Sequence, residues 1–289
     1  MADDLTSYRE NTWCPGCGNF AIFNALKKAV RKLGDSGTPR RMLAHTAGIG
    51  CHGKMFDYLM LGGFCSLHGR ALATAQGIKL ANPQLKVISS VGDGDCYGEG
   101  IEHLIFAAKR NADITVLVHD NGVYGLTTGQ VAPTGARGAR GPSTPQGNPE
   151  EPLNMLPLML EAGATFVARG YSGNIDHLSD LIVRAVGHPG FAFVDILQPC
   201  VSFNNTYEKY NKATEVMSPE PASFDDAMKA ARRTDRMLLG VFFQDMSRPA
   251  HHVALQGQRN PSQDRPDRKT RLDRVAGLLG TPHPGRFAP

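Results

Sequence analysis

The sequence predicts an α/β fold, a doubly wound parallel sheet with a C-terminal extension. Short apolar runs rich in β-branched residues alternate with segments of helical period, the pattern of repeated strand–helix units. Two successive runs end in polar glycine turns, Gly92-Asp93-Gly94-Asp95 and Asp120-Asn121-Gly122. Open α/β sheets bind ligands at such carboxyl ends. A content of 41% apolar and 20% charged residues fits a globular chain, and 289 residues suffice for one large core or two modest ones.

Taken in order, residues 1–12 are polar and read as irregular. Trp13-Cys14-Pro15-Gly16-Cys17-Gly18 is a Cys-x-x-Cys turn that leads into a helix over 20–33, apolar at Ile22, Phe23, Leu26, Val30 and Leu33 and closed by Gly34. A short strand starts at 42–45 and runs into the glycine-rich loop Gly48-Ile49-Gly50-Cys51-His52-Gly53-Lys54. Within 66–82 a helix places Leu72, Ala75 and Ile78 on one face and stops before Pro83. Residues 85–91 form a buried strand ending at Gly92. The helix 99–110 carries Ile101, Leu104, Ile105 and Ala108, and its N-terminus is expected to face the Gly-Asp-Gly turn and receive a phosphate. A second buried strand, 114–118, delivers Asp120-Asn121-Gly122.

Residues 132–151 hold several Gly and Pro and almost no large apolar residue, so they form a long loop expected to cover the site. Helices at 153–162 and 175–186 alternate with strands at 165–168 and 191–197, the last ending at Gln198-Pro199-Cys200. From Ser218 onward the pattern reads as one helix (224–239), a strand-like piece (240–243) and a Pro/Arg/Gln-rich tail. Domain 1–215 is thus the α/β block and 216–289 an extension expected to contact another subunit.

The two turns define a chemistry. Asp93 and Asn121, 28 residues apart, come to one sheet edge. A carboxylate and an amide oxygen are hard donors suited to Mg²⁺ that also takes diphosphate oxygens. Glycines flanking Asp93 let backbone amides approach a ligand. Gly-Asp-Gly followed by this Asn resembles the thiamin-diphosphate motif. The wording HGRALATAQGIKLANP, GDGDCYGEG and DNGVYGLTTGQ resembles the β subunit of two-subunit 2-oxoacid:ferredoxin oxidoreductases, over roughly residues 10–215.

That resemblance implies a thiamin-diphosphate-binding fold of the diphosphate-domain type. It implies that Asp93, Asn121 and the Val123 carbonyl hold Mg²⁺ and that Gly94 and Asp95 contact the cofactor. Ile49, Gly50, Cys51, His52 and His68 match positions that line it, and Gly125 and Leu126 match positions near the thiazolium, Leu126 supporting its bent form. Lys54 is a cation for a substrate carboxylate, and Lys54, His68 and Leu126 form the expected catalytic group.

Six cysteines in a chain expected to be cytoplasmic do not suggest disulfides. Cys14, Cys17, Cys51 and Cys200 can bind Zn²⁺ or a [4Fe–4S] cluster, and spacing alone does not separate the two. Structural zinc usually uses two paired knuckles, so one pair joined to two distant cysteines leans toward a cluster. The family's cluster ligands fall on these four positions. Cys65 and Cys96 read as small buried hydrophobes.

Decarboxylation of a 2-oxoacid needs an electron sink, which thiamin supplies, and an oxidative outcome needs a redox acceptor, which a cluster supplies. Coenzyme A takes the acyl group in the family resembled, and ferredoxin takes the electrons. One component is missing from the chain: the glutamate that activates thiamin. Glu99 and Glu102 lie on the diphosphate side, so a separate α subunit is expected to supply the pyrimidine-binding domain and that glutamate, in an α2β2 assembly. The resemblance favours 2-oxoglutarate as substrate, then pyruvate, with either direction of reaction open.

A non-oxidative thiamin enzyme subunit, such as a decarboxylase or an acetolactate-synthase-like chain, would leave the four cysteines without a role. A non-catalytic, zinc-stabilised subunit is the third reading. The net charge of +4 is mild, and the tail after Ser247 holds eight Arg/Lys against three Asp without interleaved aromatics, so nucleic-acid binding is not expected. No apolar run of membrane-spanning length and no secretory signal is evident.

Overall fold

The computed structural model describes residues 5–264 and 266–279. The outermost tail, 280–289, lies outside the described residues. In chain order come α1 (Gly18–Asp35), β1 (Leu43–Ala47), α2 (Met55–Tyr58), β2 (Gly62–Cys65), α3 (Ala71–Ala81), β3 (Lys86–Gly92), α4 (Ile101–Arg110) and β4 (Thr115–Asp120). A small hairpin, β5 (Val123–Tyr124) with β6 (Gln130–Val131), follows. The rest are α5 (Met155–Glu161), β7 (Phe166–Tyr171), α6 (Ile175–Gly187), β8 (Ala192–Leu197), α7 (Tyr207–Ala213), β9 (Thr214–Val216), α8 (Phe224–Ala231), β10 (Met237–Gln244), α9 (His251–Gln256) and α10 (Arg268–Leu278).

Eight strands form one sheet in the order β2-β1-β3-β4-β8-β7-β10-β9. All neighbours are parallel except β10 against β7. Strand residues alternate between two apolar layers, as the period of two requires. Val87, Val91, Val116, Val118 and Phe193 pack with α3, α4, α5 and α8, whereas Ile88, Leu117, Val194 and Ile196 pack with α1 and α6. Buried on both faces, the central strands read in sequence as continuous apolar runs. Among the described residues no helix is long and apolar enough to cross a membrane.

Three expectations change. The helix expected over 224–239 ends at Ala231. A tight Arg233–Asp235 ion pair turns the chain, and the apolar run that follows enters the sheet as β10. The expected boundary at 215/216 falls within β9, and β9 and β10 complete the same sheet, so the chain after 216 is part of that sheet as far as Gln244. Helix α4 begins only at Ile101, because a π-helical turn, Gly94–Gly98, intervenes. The first amides beyond β3 therefore belong to that turn and not to α4.

Candidate active site

Two neighbouring strands bring the two turns together. Register pairs Gly92 with His119, so Asp93 stands level with the Asp120–Asn121 end of β4. The chain leaves β1 for β2 on one side and returns to β3 on the other, which opens a crevice at their carboxyl ends. A cleft of about 440 Å³ lies there. Its walls include Ile49, Gly50, Cys51, His52, His68 and Asp93 from the near side. Gly94, Asp95, Asn121, Val123, Gly125 and Leu126 complete it. Every residue expected to contact the cofactor, Cys51 included, is on this surface.

Asp93 is buried and tightly held. Its Oδ2 accepts from the Gly122 amide at 2.7 Å and from the Thr134 hydroxyl at 2.8 Å. Gly122 can present that amide because it sits at φ 74°, a conformation cheap only for glycine. Thr134 Oγ1 also lies 2.6 Å from Asp120 Oδ1. Thr134 thus bridges the two carboxyls. Burial pushes Asp120 well up, and the charges of Asp195 and Asp93 push further, with Thr134 and Arg169 opposing. Burial also raises Asp93, opposed by the hydrogen bonds from Thr134, Gly94 and Gly122.

Asp95 ties three loops together. Its Oδ1 accepts from the Gly69 amide at 2.8 Å and the Ile49 amide at 3.2 Å, and His68 Nδ1 approaches it to 3.0 Å. His52 Nε2 lies 3.4 Å from Oδ2. Burial works to raise this carboxyl, but the His52 ring and the two amides outweigh it and hold it below its ordinary value. A Cβ on Gly48 would meet Asp95 Oδ2 at 1.7 Å, so the loop closes on Asp95 only through glycine.

A second cavity, about 610 Å³, shares a wall with the first. Cys14, Cys17, Cys51 and Cys200 all line it, and Cys51, Asn121, Gly125 and Leu126 border both. A Cβ on Gly125 would stand 3.6 Å from Cys51 Sγ and 3.7 Å from Cys200 Sγ. Backbone brackets hold the thiol-bearing loops: the Trp13 indole donates to the Cys51 carbonyl at 2.7 Å, and the Gly18 amide donates to the Pro199 carbonyl at 3.2 Å. Burial pushes the Cys17 thiol up to about 11, the Asn19 amide opposing and the sulfurs of Cys200, Cys51 and Cys14 adding to it. Burial raises Cys51 as well, with Lys54 opposing.

Lys54 lines this cavity and not the first cleft, its Nζ donating to Thr12 Oγ1 at 2.9 Å. The expected lid is different too. No residue of 132–151 lines the cleft. Asn148 instead holds the loop on itself through the carbonyls of Gly135, Ala136 and Glu150, and Thr134 braces Asp93 from behind. Neither Glu99 nor Glu102 reaches the cleft.

Sequence reasoning missed Thr134, Gln198 and Tyr124. Tyr124 lines the cleft and packs where a side chain on Gly94 would stand, 2.5 Å from its Cβ position. Its place inside Asp-Asn-Gly-Val-Tyr-Gly was the available signal.

Residues 36–196 match the family model of the thiamine pyrophosphate enzyme C-terminal TPP-binding domain. Residues 200–259 match the family model for the C-terminal part of the pyruvate ferredoxin oxidoreductase β chain. The chain is 42% identical over 253 residues to the 2-oxoacid:ferredoxin oxidoreductase subunit β of Saccharolobus solfataricus, covering 81% of this chain and 82% of that one.

The chain belongs to the 2-oxoacid:ferredoxin oxidoreductase β-subunit family.

Within that family, the 2-oxoglutarate oxidoreductase subunit KorB of Mycobacterium tuberculosis is 42% identical over 202 residues, 70% of this chain and 53% of that one. The solved 2-oxoglutarate:ferredoxin oxidoreductase from Magnetococcus marinus, with 2-oxoglutarate, coenzyme A and succinyl-CoA bound, superposes with a TM-score of 0.83. That match has 32% identity and covers 99% of this chain and 94% of the other.

Proposed function

We propose that this β subunit carries the thiamin-diphosphate half of a 2-oxoacid oxidising site and, across one shared wall, a [4Fe–4S] cluster that receives the electrons. The observation that carries this reading is the wall itself: Cys51 and Gly125 border both the cleft with Asp93 and Asn121 and the cavity with four thiols.

The residues suit both groups. Asp93, Asn121 Oδ1 and the Val123 carbonyl would hold Mg²⁺ against the diphosphate, beside the backbone of Gly94 and Asp95. The four cysteines would hold the cluster. A single zinc ion needs its sulfurs about 2.3 Å from one point. A [4Fe–4S] cluster takes each thiolate on a different iron, which four cysteines around one cavity could supply. Thiamin diphosphate supplies the electron sink for loss of CO₂, and the cluster the acceptor for the electrons released.

The chain's own residues bind and orient. Leu126 and Gly125 face the reacting end of the cleft, and Asp95 fixes His52 and His68 along one side. Lys54 lines the thiol cavity, where its Nζ is held by Thr12, and is the cation for a substrate carboxylate that reaches past Cys51. An α subunit supplies the activating glutamate, coenzyme A takes the acyl group, and ferredoxin takes the electrons, in an α2β2 assembly. The 2-oxoglutarate relatives and structural neighbour support 2-oxoglutarate as substrate, with pyruvate next. The test is anaerobic co-purification with the α subunit. About four irons and four sulfides per β chain, bound thiamin diphosphate, and ferredoxin reduction faster with 2-oxoglutarate than with pyruvate are the expected result. Zinc or no metal, with thiamin diphosphate retained, would move the reading to a non-oxidative enzyme.

A further inference from the structure

One buried side chain touches both sites. Gln198 follows directly on β8, between Leu197 and the Pro199-Cys200 loop, and is 1% exposed. Its Oε1 accepts from Asn121 Nδ2 at 2.8 Å. Its Nε2 donates to the Pro199 carbonyl at 2.8 Å and reaches Cys17 Sγ at 3.6 Å. All of its polar capacity is therefore spent between the Asn121 amide and the cysteine loops.

The polarity of this chain of amides is fixed from both ends. At one end the Val123 amide, which can only donate, gives its hydrogen to Asn121 Oδ1 at 3.0 Å. The Asn121 nitrogen must then face Gln198, whose oxygen must face back. At the other end the Pro199 carbonyl can only accept, so the Gln198 nitrogen must point that way. Reversing either amide would set donor against donor or acceptor against acceptor at two buried contacts, each left without a hydrogen bond. Consequently Asn121 presents an oxygen, never a nitrogen, where Val123 binds it, and Cys17 meets an N–H, never a lone pair.

We propose that Gln198 is a positioning residue coupling the two halves of the site: it locks Asn121 in the orientation a cation requires and places a hydrogen-bond donor on the Cys17 sulfur. This rests on the cluster reading above. A donor to a ligand sulfur stabilises the more negative, reduced cluster and so raises its potential. Groups that orient metal ligands typically carry ten- to a hundredfold in metal affinity.

The test uses the anaerobic complex with the α subunit and two variants, Gln198→Glu and Gln198→Met. Glutamate keeps an acceptor for Asn121 and loses the N–H; methionine keeps the volume and loses both contacts. Midpoint potential is read by EPR-monitored titration, and Mg²⁺–thiamin diphosphate affinity by calorimetry on the cofactor-stripped complex. At unchanged iron and sulfide, both variants should lower the reduced-to-oxidised ratio at fixed potential about tenfold, which is about 59 mV for a one-electron couple. Gln198→Met should in addition weaken cofactor binding about tenfold, and Gln198→Glu much less. Where one variant loses iron, the other reads the potential. Iron lost from both would mean a structural role only and overturn the proposal, as would potentials unmoved in iron-loaded variants. Wild type without iron would overturn the cluster reading itself, and this inference with it.

Discussion

The cleft and the cavity stand back to back on one wall, yet the chain prepares them differently. In the cleft two carboxylates are already held: Asp93 by Gly122 and Thr134, and Asp95, through Oδ1, by two loop amides. In the cavity burial keeps Cys17 and Cys51 protonated, so a metal must displace protons as it binds. A cation site can be built from a turn and a strand end.

Breaking one side and reading the other tests that contrast. The largest effect is expected from Cys17→Ser, which should remove most of the iron while leaving Mg²⁺–thiamin diphosphate affinity within about twofold, as metal analysis and calorimetry would show. The converse is Asp93→Ala. It should weaken cofactor binding on the order of a hundredfold with iron unchanged. Thr134→Val, which removes only the brace between Asp120 and Asp93, should weaken it about tenfold and likewise spare the iron. Gly125→Leu belongs to neither side alone. Because its side chain would press on Cys51 and Cys200 from the shared wall, both iron content and cofactor affinity should fall.

The smallest effect is a pH dependence of the metal-free chain. Burial holds the Cys17 thiol at about 11, above its ordinary 9. The folded chain therefore binds more protons than the unfolded one between those values, and its stability declines as pH rises through that window. Below pH 9 this contribution is fully present. Urea midpoints measured from pH 8 to pH 10.5 should fall more steeply for wild type than for Cys17→Ser.

The residues legible in the sequence are those whose role follows from local pattern. Strand runs buried on both faces, the Gly-Asp-Gly turn, the Asn after the next strand and the Cys-x-x-Cys turn all announce themselves within a few positions. Thr134 and Gln198 do not, because their partners lie 41 and 77 positions away and neither residue type is unusual where it stands. Strand β10 is hidden for a different reason. Its apolar run continues directly from an amphipathic helix, and only the turn at Arg233–Asp235 separates them. Lys54 is close in sequence to the cleft loop, but the 3₁₀ turn Cys51–Lys54 carries it round to the cavity.

The most direct test of the shared wall is a single turnover without ferredoxin. The anaerobic complex with the α subunit is mixed with 2-oxoglutarate and coenzyme A, and the visible absorbance of the β chain is followed. Bleaching of the broad iron–sulfur band that requires both substrates, and that Cys17→Ser abolishes, is the result this account predicts. Release of CO₂ with no change in that band would show that the electrons do not cross the wall, and would contradict it.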